Sequence, residues 1–206
     1  MLFLILFKDP LFFFMVATAI IFALSIHEYS HACVADFLGD RTAKLQGRLT
    51  INPLAHLDPM GTLFLFIAGF GWGKPVPFNP HNLRNQKWGP GLIALAGPTS
   101  NFLMAITVGL SFQFLGVSNI AVVDFFSVFV WINILLGVFN LMPIFPLDGS
   151  HILSTFFPQL ARKIELLFSK YPIFVLVGML LFMIYIVIPF VCMPLFNLII
   201  GGALPF

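Results

Sequence analysis

Four stretches of the sequence are apolar over roughly the 20 residues that a helix needs to cross the hydrocarbon core of a bilayer. They run over about residues 11–37, 91–114, 122–142 and 172–188. Charged residues make up only 9% of the 206 residues, whereas soluble domains carry about 25%. The sequence therefore predicts an all-α membrane protein, a polytopic helical bundle that forms a single domain over residues 1–206.

Two other apolar stretches are too short or too broken for a regular span. Residues 61–70 cover about half the length of a span, and glycines and prolines follow in GFGWGKPVPFNP. A strand, a hairpin or a re-entrant loop fits them better than a crossing helix, if protein or water covers the backbone. Residues 189–206 contain Pro189 and Pro194 and are expected to form a short fifth span or an interfacial segment. The expected bundle thus has four to five spans and one membrane-embedded β or re-entrant element.

The positive charges are concentrated in two of the segments that connect the spans. Six of the ten lysines and arginines lie between the first and second spans, and three lie between the third and fourth. Cytoplasmic loops carry an excess of these residues, so we expect a multi-pass protein of the cell membrane with both segments in the cytoplasm and the N-terminus outside. The net charge of +2 is too small to indicate nucleic-acid binding. Two cysteines in apolar surroundings exclude a disulfide framework.

The first span ends in HEYSH, an HExxH pattern formed by His27, Glu28 and His31. Residues four apart share one face of a helix, so the two imidazoles can bind one zinc ion. Glu28 lies one step around the helix, where it can hold the water that the metal activates. Ionisable side chains within a span are costly and usually functional. A metal site near the cytoplasmic side is therefore favoured over a chance match.

A catalytic zinc site needs a third protein ligand and one open position. Asp148 lies in NLMPIFPLDGSHIL, directly after the third span and at the depth of His31. Pro143 and Pro146 break the helix and Gly149 frees the backbone, so the carboxylate can turn back toward the metal. The alternative is that Asp148 caps the helix that follows. The lack of a better donor elsewhere in the sequence favours the ligand.

For three other polar residues, the sequence gives weaker reasons to expect a role in the metal site. His56 lies among turn residues in NPLAHLDPMG, which favours a hydrogen bond to nearby backbone. His151 follows Asp148 by three residues and either supports a metal ligand from the second shell or packs in the fold. Asn101, in LAGPTSN, lies among small residues of the second span, which indicates tight helix packing.

The two motifs resemble those of the site-2 protease family of intramembrane zinc metalloproteases. The HExxH pattern lies in one span, and the pattern NxxPxxxLDG stands after a later span as Asn140, Pro143, Leu147, Asp148 and Gly149. The stretches LTINPLAHLDPMGTL, GWGKPVPFNP and LAGPTSN also look like that family. The resemblance extends from about residue 27 to residue 153 and corresponds to the compact form of the family, without a PDZ or CBS domain.

This resemblance implies a zinc-dependent intramembrane metalloendopeptidase with one Zn²⁺ per chain. His27, His31 and Asp148 are then the zinc ligands, and Glu28 is the catalytic base and acid. The implied substrates are membrane-anchored proteins or peptides, cut within or near their transmembrane segments in regulated intramembrane proteolysis. The implied partners are these substrates and the lipid bilayer. Whether the chain forms a homo-oligomer is left open.

The resemblance also implies where a substrate is held. Asn140 looks like a polar group that holds the substrate backbone or the oxyanion. Gly69, Gly71 and Gly73 belong to a stretch that looks like a membrane-embedded β-element pairing with an unwound substrate. Glycines permit close backbone approach, and an exposed edge can capture an extended segment by strand addition. A glycine loop that merely caps the bundle is the alternative.

Two other functional classes compete with the protease. A transporter would carry ionisable groups spread through several spans, whereas these acids and histidines collect at one membrane level. An inactive family member that acts as a scaffold would have lost Glu28 or a ligand, and all of these residues are present. The sequence therefore favours the enzyme.

Overall fold

The computed structural model describes residues 2–68, 71–115 and 119–201. This part of the chain is mostly helical and contains no β-strand. In chain order, its α-helices are α1 Leu2–Lys8, α2 Pro10–Phe37, α3 Thr42–Leu45, α4 Pro59–Ala68, α5 Gly89–Leu115, α6 Ile120–Asn140, α7 Asp148–Phe156, α8 Pro158–Lys170, α9 Pro172–Phe182 and α10 Met193–Ile200.

Within these described ranges, four helices are long and apolar enough to span a membrane. They are Pro10–Phe37, Gly89–Phe114, Ile120–Asn140 and the continuous run Pro172–Ile200. The first begins where the Asp9 side chain accepts a hydrogen bond from the backbone N–H of Phe12, and the third begins where Asn119 accepts from Val122. These caps satisfy backbone donors that a helix leaves unpaired at its start. The predicted all-α multi-pass bundle is confirmed.

The centre of the bundle is formed by α2, α5 and α6, which pack against one another. Small side chains line the contact, since Ala19, Ala23 and Ala32 of α2 and Ala105 of α5 are fully buried. Lipid is as apolar as a leucine side chain, so helices in a membrane associate through close van der Waals packing, which small residues permit. This tight packing positions the polar side chains of three different helices relative to one another.

The fourth span is longer than the sequence predicted. A π-helical stretch, Met183–Cys192, contains Pro189 and joins α9 to α10 without a break. Proline lacks an N–H and its ring crowds the carbonyl one turn earlier, and a wider π turn accommodates both effects. The residues from Pro189 to Ile200 therefore continue the fourth helix, and the expectation of a fifth or interfacial segment there is wrong.

The segment between His56 and Lys74 begins and ends at the same place and packs against the bundle, where the ring of Phe66 lies 5.7 Å from that of Phe13. Residues 59–68 form the short helix α4, and Leu57 and Gly73 then meet in an isolated antiparallel bridge. The backbone N–H of Lys74 donates a hydrogen bond to the carbonyl of His56 at 2.8 Å. The prediction of a re-entrant course fits this arrangement, whereas that of a strand or hairpin is wrong within the described residues. A helix satisfies the backbone of an apolar segment internally, which a lone strand cannot do.

Candidate metal centre

Three predicted ligands meet inside the bundle. His27 and His31 lie one turn apart on α2, are both buried, and place their Nε2 atoms 3.0 Å from each other. The Oδ2 atom of Asp148 lies 3.0 Å from His27 Nε2 and 3.3 Å from His31 Nε2. One ligand atom from each of the three residues thus lies within 4.8 Å of the others. The structure thus brings together the HExxH histidines and Asp148, which lie far apart in the sequence.

The position of Asp148 depends on its neighbours in the chain. It is the first residue of α7, and Leu147 rather than Asp148 holds the capping position, so the interpretation of Asp148 as a helix cap is wrong. At Gly149, an added Cβ would lie 2.2 Å from the carbonyl oxygen of Leu141 and 2.4 Å from that of Met142. Only glycine lets the start of α7 approach the end of α6 this closely, and this approach aims the carboxylate at α2.

The Nδ1 atoms of His27 and His31, which face away from Asp148, are both hydrogen-bonded. His31 Nδ1 lies 2.7 Å from the carbonyl oxygen of Ile93. A carbonyl only accepts, so the proton is on Nδ1 and the Nε2 lone pair points inward. His27 Nδ1 lies 2.7 Å from Asn101 Oδ1 and donates to it in the same way. Both histidines therefore present lone pairs to the centre of the site.

The orientation of the Asn101 amide is fixed by a buried chain of hydrogen bonds. The Asn133 side chain donates to the carbonyl of Phe129 at 2.9 Å, and its own oxygen accepts from Asn101 Nδ2 at 3.0 Å. Asn101 Nδ2 also donates to the carbonyl of Ala23 at 3.2 Å. Its oxygen must then face His27. We name this series of hydrogen bonds, which runs from Phe129 through Asn133 and Asn101 to His27, the amide relay.

The donor set fits a zinc ion. Two imidazole lone pairs converge on Asp148 Oδ2, which is buried and has no hydrogen-bond partner in the described part of the chain. Three acceptors without a shared proton repel one another, and a buried carboxylate without a partner is costly. A cation removes both penalties. Two histidines, one carboxylate and a remaining open position form the ligand set of catalytic zinc.

Gly97 of α5 leaves space beside these donors. A Cβ built on it would lie 2.4 Å from His31 Nε2 and 2.6 Å from His27 Nε2. Real Cβ atoms do not make contacts this short, so any side chain here would occupy the space in front of the lone pairs. The sequence alone does not point to this glycine, because a glycine within a span usually indicates helix packing.

Asn101 and Asn133 were also missed as parts of the site. Asn101 was predicted to serve helix packing, but it bonds directly to His27. Both amides are fully buried within apolar spans. Polar residues at such positions are expensive and tend to be functional. That signal was present in the sequence and is weaker for an amide than for the charged groups of HExxH.

Glu28 lies beside the three donors and is only 9% exposed. Its Oε2 accepts a hydrogen bond of 3.1 Å from the backbone N–H of Val76, in the non-helical segment that follows the re-entrant course. The segment around Lys74 to Val76 belongs to the stretch that the family resemblance implies to hold a substrate, and it touches the predicted catalytic carboxylate. One carboxylate oxygen is held by this contact.

The remaining predicted site residues lie in other surroundings. Asn140, at the end of α6, donates its side-chain amide to the carbonyl of Leu136 in its own helix at 3.0 Å. The His151 ring lies edge-on to Phe78, with ring centroids 6.4 Å apart, and lines a cavity of about 240 Å³ between α7 and α8. The ring contact of His151 is therefore with Phe78 and not with the metal donors. Buried His56 is bonded through Nε2–H to the carbonyl of Thr50 at 2.7 Å, as predicted.

The predicted glycines of the substrate edge pack against the chain itself. A Cβ at Gly71 would lie 2.2 Å from the carbonyl oxygen of Gly61, and one at Gly73 would lie 3.0 Å from the side chain of Leu24. Gly69 lies outside the described residues. Valine at either of the two described positions would disturb the re-entrant segment itself, so such variants do not separate substrate pairing from packing.

Replacing Asn101 by leucine is expected to lower zinc affinity roughly 10–100-fold, the usual effect of removing a partner behind a metal-binding histidine. The leucine keeps the volume but leaves His27 Nδ1–H without its acceptor. Competition with a zinc-binding dye in detergent measures the affinity. Ser100→Ala is the matched control, because the Ser100 hydroxyl bonds to Gly97 in its own helix. Equal affinity in the Asn101→Leu protein and the wild type would contradict the role of the relay.

Comparison with known proteins places this site in a family. Residues 115–185 match the model of peptidase family M50. A Bacillus subtilis protein named "Putative zinc metalloprotease YwhC" is 35% identical over 195 residues, which cover 89% of this chain and 86% of that protein. Proteins named Rip2 from Mycolicibacterium smegmatis and Mycobacterium tuberculosis are 28% and 32% identical; each match covers 66% of this chain and 55% of the relative. No solved structure matches the chain significantly. From the helices, the donor set and these relatives together, it follows that the chain belongs to peptidase family M50.

Proposed function

We propose that this chain is an intramembrane zinc metalloprotease that hydrolyses peptide bonds within or near the transmembrane segments of membrane-anchored proteins. The family is one of zinc-dependent hydrolases, and the described part of the chain has four helices long and apolar enough to span a bilayer. The observation that carries the proposal is the convergence of His27, His31 and Asp148 beside Glu28 within that bundle. A peptidase site at this position acts on chains that reach it through the membrane.

We assign the zinc to His27, His31 and Asp148. When bound, zinc lowers the pKa of water and polarises the carbonyl of the scissile peptide bond. Glu28 takes the proton of the attacking water as the new C–O bond forms, and passes it to the leaving nitrogen as the C–N bond breaks. Because the N–H of Val76 holds Oε2, we assign the proton transfer to Oε1. The amide relay keeps the His27 lone pair directed at the metal.

The substrate has to unwind before it can be cut. A helix engages its peptide groups in its own hydrogen bonds, so a local extended segment must form at the site. Residues 71–79 form no helix, and Val76 among them bonds to Glu28, which supports the assignment of this stretch, together with Gly69, as the docking edge for that segment. Asn140 is assigned to the substrate backbone or the oxyanion, for which its amide has to leave the carbonyl of Leu136.

The orientation that we propose for the chain in the membrane is based on the distribution of its lysines and arginines. The metal donors, the segment from Thr42 to Trp88 and the amphipathic α8 belong to the cytoplasmic side, and the N-terminus lies outside. α8 contains Arg162, Lys163 and Lys170, which suits contact with a cytoplasmic leaflet. Labelling of single cysteines introduced at Asp9 and at Lys163 in intact cells and in inverted vesicles tests this orientation.

The function is tested by cleavage of tagged single-span proteins with the purified chain in detergent. We expect a cut within the span, loss of cleavage after treatment with a zinc chelator, and recovery after zinc is returned. Mass spectrometry of the fragments locates the cut. Failure to cut a broad panel of spans, with one zinc bound per chain, would contradict the proposal and favour a scaffold or a transporter.

A further inference from the structure

Arg48 is a buried cation without a carboxylate at ion-pair distance in the described residues. Its side chain is 5% exposed, and the ion pairs of that part of the chain involve other residues. Burial of a charge is costly unless hydrogen bonds or an opposite charge compensate for it. The guanidinium donates to the carbonyls of Lys74 and Pro75, the latter at 3.2 Å. A long side chain is thus used to hold backbone of the segment that contacts Glu28.

His56 holds both the arginine and the same segment. Its Nε2–H donates to the carbonyl of Thr50, so Nδ1 is an acceptor, and it lies 3.5 Å from Arg48 Nη2. The carbonyl of His56 accepts from the N–H of Lys74 at 2.8 Å. The histidine is fully buried. Arg48 and His56 together fix the backbone of residues 74–76 from one side.

The peptide group between Pro75 and Val76 connects two opposite charges. Its carbonyl accepts from Arg48 at 3.2 Å, and its N–H donates to Glu28 Oε2 at 3.1 Å. In a trans peptide these groups point in opposite directions, so the positive end of the peptide dipole faces the anion and the negative end faces the cation. Hydrogen bonds to charged groups are the stronger ones, and bonds in series reinforce one another.

The two charges also act on each other at longer range. Burial lowers the pKa of the Arg48 guanidinium, and the negative charge of Glu28 opposes that effect. The cation therefore has its electrostatic partner across the peptide group rather than in direct contact. The nearby Arg41, by contrast, is exposed.

We infer that Arg48 is a positioning residue for Glu28, acting through the Pro75–Val76 peptide group. It fixes one oxygen of the catalytic carboxylate and thereby the direction of the other. The inference rests on the proposed function, since it concerns the rate of the proteolytic step. Loss of Arg48 lets the 74–76 backbone move and the carboxylate rotate, while the three metal donors stay in place.

Arg48→Gln and Arg48→Lys, with Arg41→Gln as the matched control, test this inference. We expect Arg48→Gln to lower kcat by roughly 10–100-fold, as loss of an outer-shell partner does, with KM within about two-fold of wild type. Lysine, which can reach one carbonyl but not both, gives a smaller loss. Zinc content and thermal stability stay at the wild-type level, and Arg41→Gln changes none of these values.

A double-mutant cycle with Glu28→Asp separates positioning from general support of the fold. The shorter aspartate already loses the contact with Val76, so adding Arg48→Gln should lower kcat by much less than it does in the wild type. Losses that multiply, an unchanged kcat, a change confined to KM, or a joint loss of zinc and stability in both Arg48 variants would each overturn the inference. An inactive, zinc-loaded wild type would instead contradict the proposed function.

Discussion

Replacing Gly97 with alanine is expected to eliminate zinc binding and, with it, proteolysis. The added methyl carbon would lie 2.4 Å from His31 Nε2 and 2.6 Å from His27 Nε2, in the space that a shared cation needs. The fold should survive, because alanine favours a helix interior over glycine by about 1 kcal/mol. The loss therefore falls on the metal and not on the bundle.

Zinc per chain, measured by elemental analysis of the purified protein, checks this result together with the melting temperature. Gly178→Ala is the matched control, since an added Cβ there meets nothing within 4 Å and the residue also lies in an apolar helix, α9. It should keep the zinc and the activity. A Gly97→Ala protein that retains one zinc per chain would show that the metal does not lie between the two histidines and α5.

Replacing Glu28 with glutamine is expected to lower the cleavage rate by at least about 10²-fold, the lower end of what a general acid–base residue contributes. The amide has the same length, and its oxygen can still accept the N–H of Val76, but it cannot take a proton from water. Zinc binding should be unchanged because Glu28 is not one of the three converging donors.

The rate is measured on a single-span substrate, with zinc content determined on the same samples. Asp36→Asn serves as the control, since Asp36 lies two turns further along α2 and pairs with Lys44 at 3.1 Å, away from the donors. Wild-type cleavage by the Glu28→Gln protein would remove Glu28 from the mechanism. Loss of zinc in that protein would mean that Glu28 belongs to the ligand set.

The sequence predicted those parts of the site that depend on short motifs of neighbouring residues. The geometry of the HExxH pair can be predicted from the sequence, because helical spacing alone brings His27 and His31 to one face. Asp148 could be found because the acidic residues are few and prolines interrupt the chain beside it. Gly97, Asn101 and Asn133 could not be assigned, because their proximity to α2 depends on how α5 and α6 rotate and slide in the packed bundle. Hydropathy fixes where a helix lies in a membrane but not which of its faces meets a neighbour.

Two predictions were wrong in part, for related reasons. The glycines and prolines that follow residue 68 suggested a strand or hairpin as well as a re-entrant loop, yet the apolar residues before them form α4. The described residues contain no strand with which they could pair. Pro189 suggested the end of a helix, yet a π-helical turn carries the chain past it. In water each proline would favour a break, whereas in lipid an interrupted backbone has no solvent to satisfy it.

The amide relay joins α6, α5 and α2 at the depth of the metal donors. A slide of one of these helices by a single turn, about 5.4 Å, would break the relay and turn the His27 lone pair away. These three helices therefore form a fixed frame during the catalytic cycle. A substrate segment must nevertheless pass from the lipid to the metal, so the wall that opens has to be built from other elements. Phe196 and Ile199 of α10 are buried against α5 and α6, so α10 belongs to the frame. Helix α4 contributes no residue to the relay and is the element that can move without disturbing its chemistry.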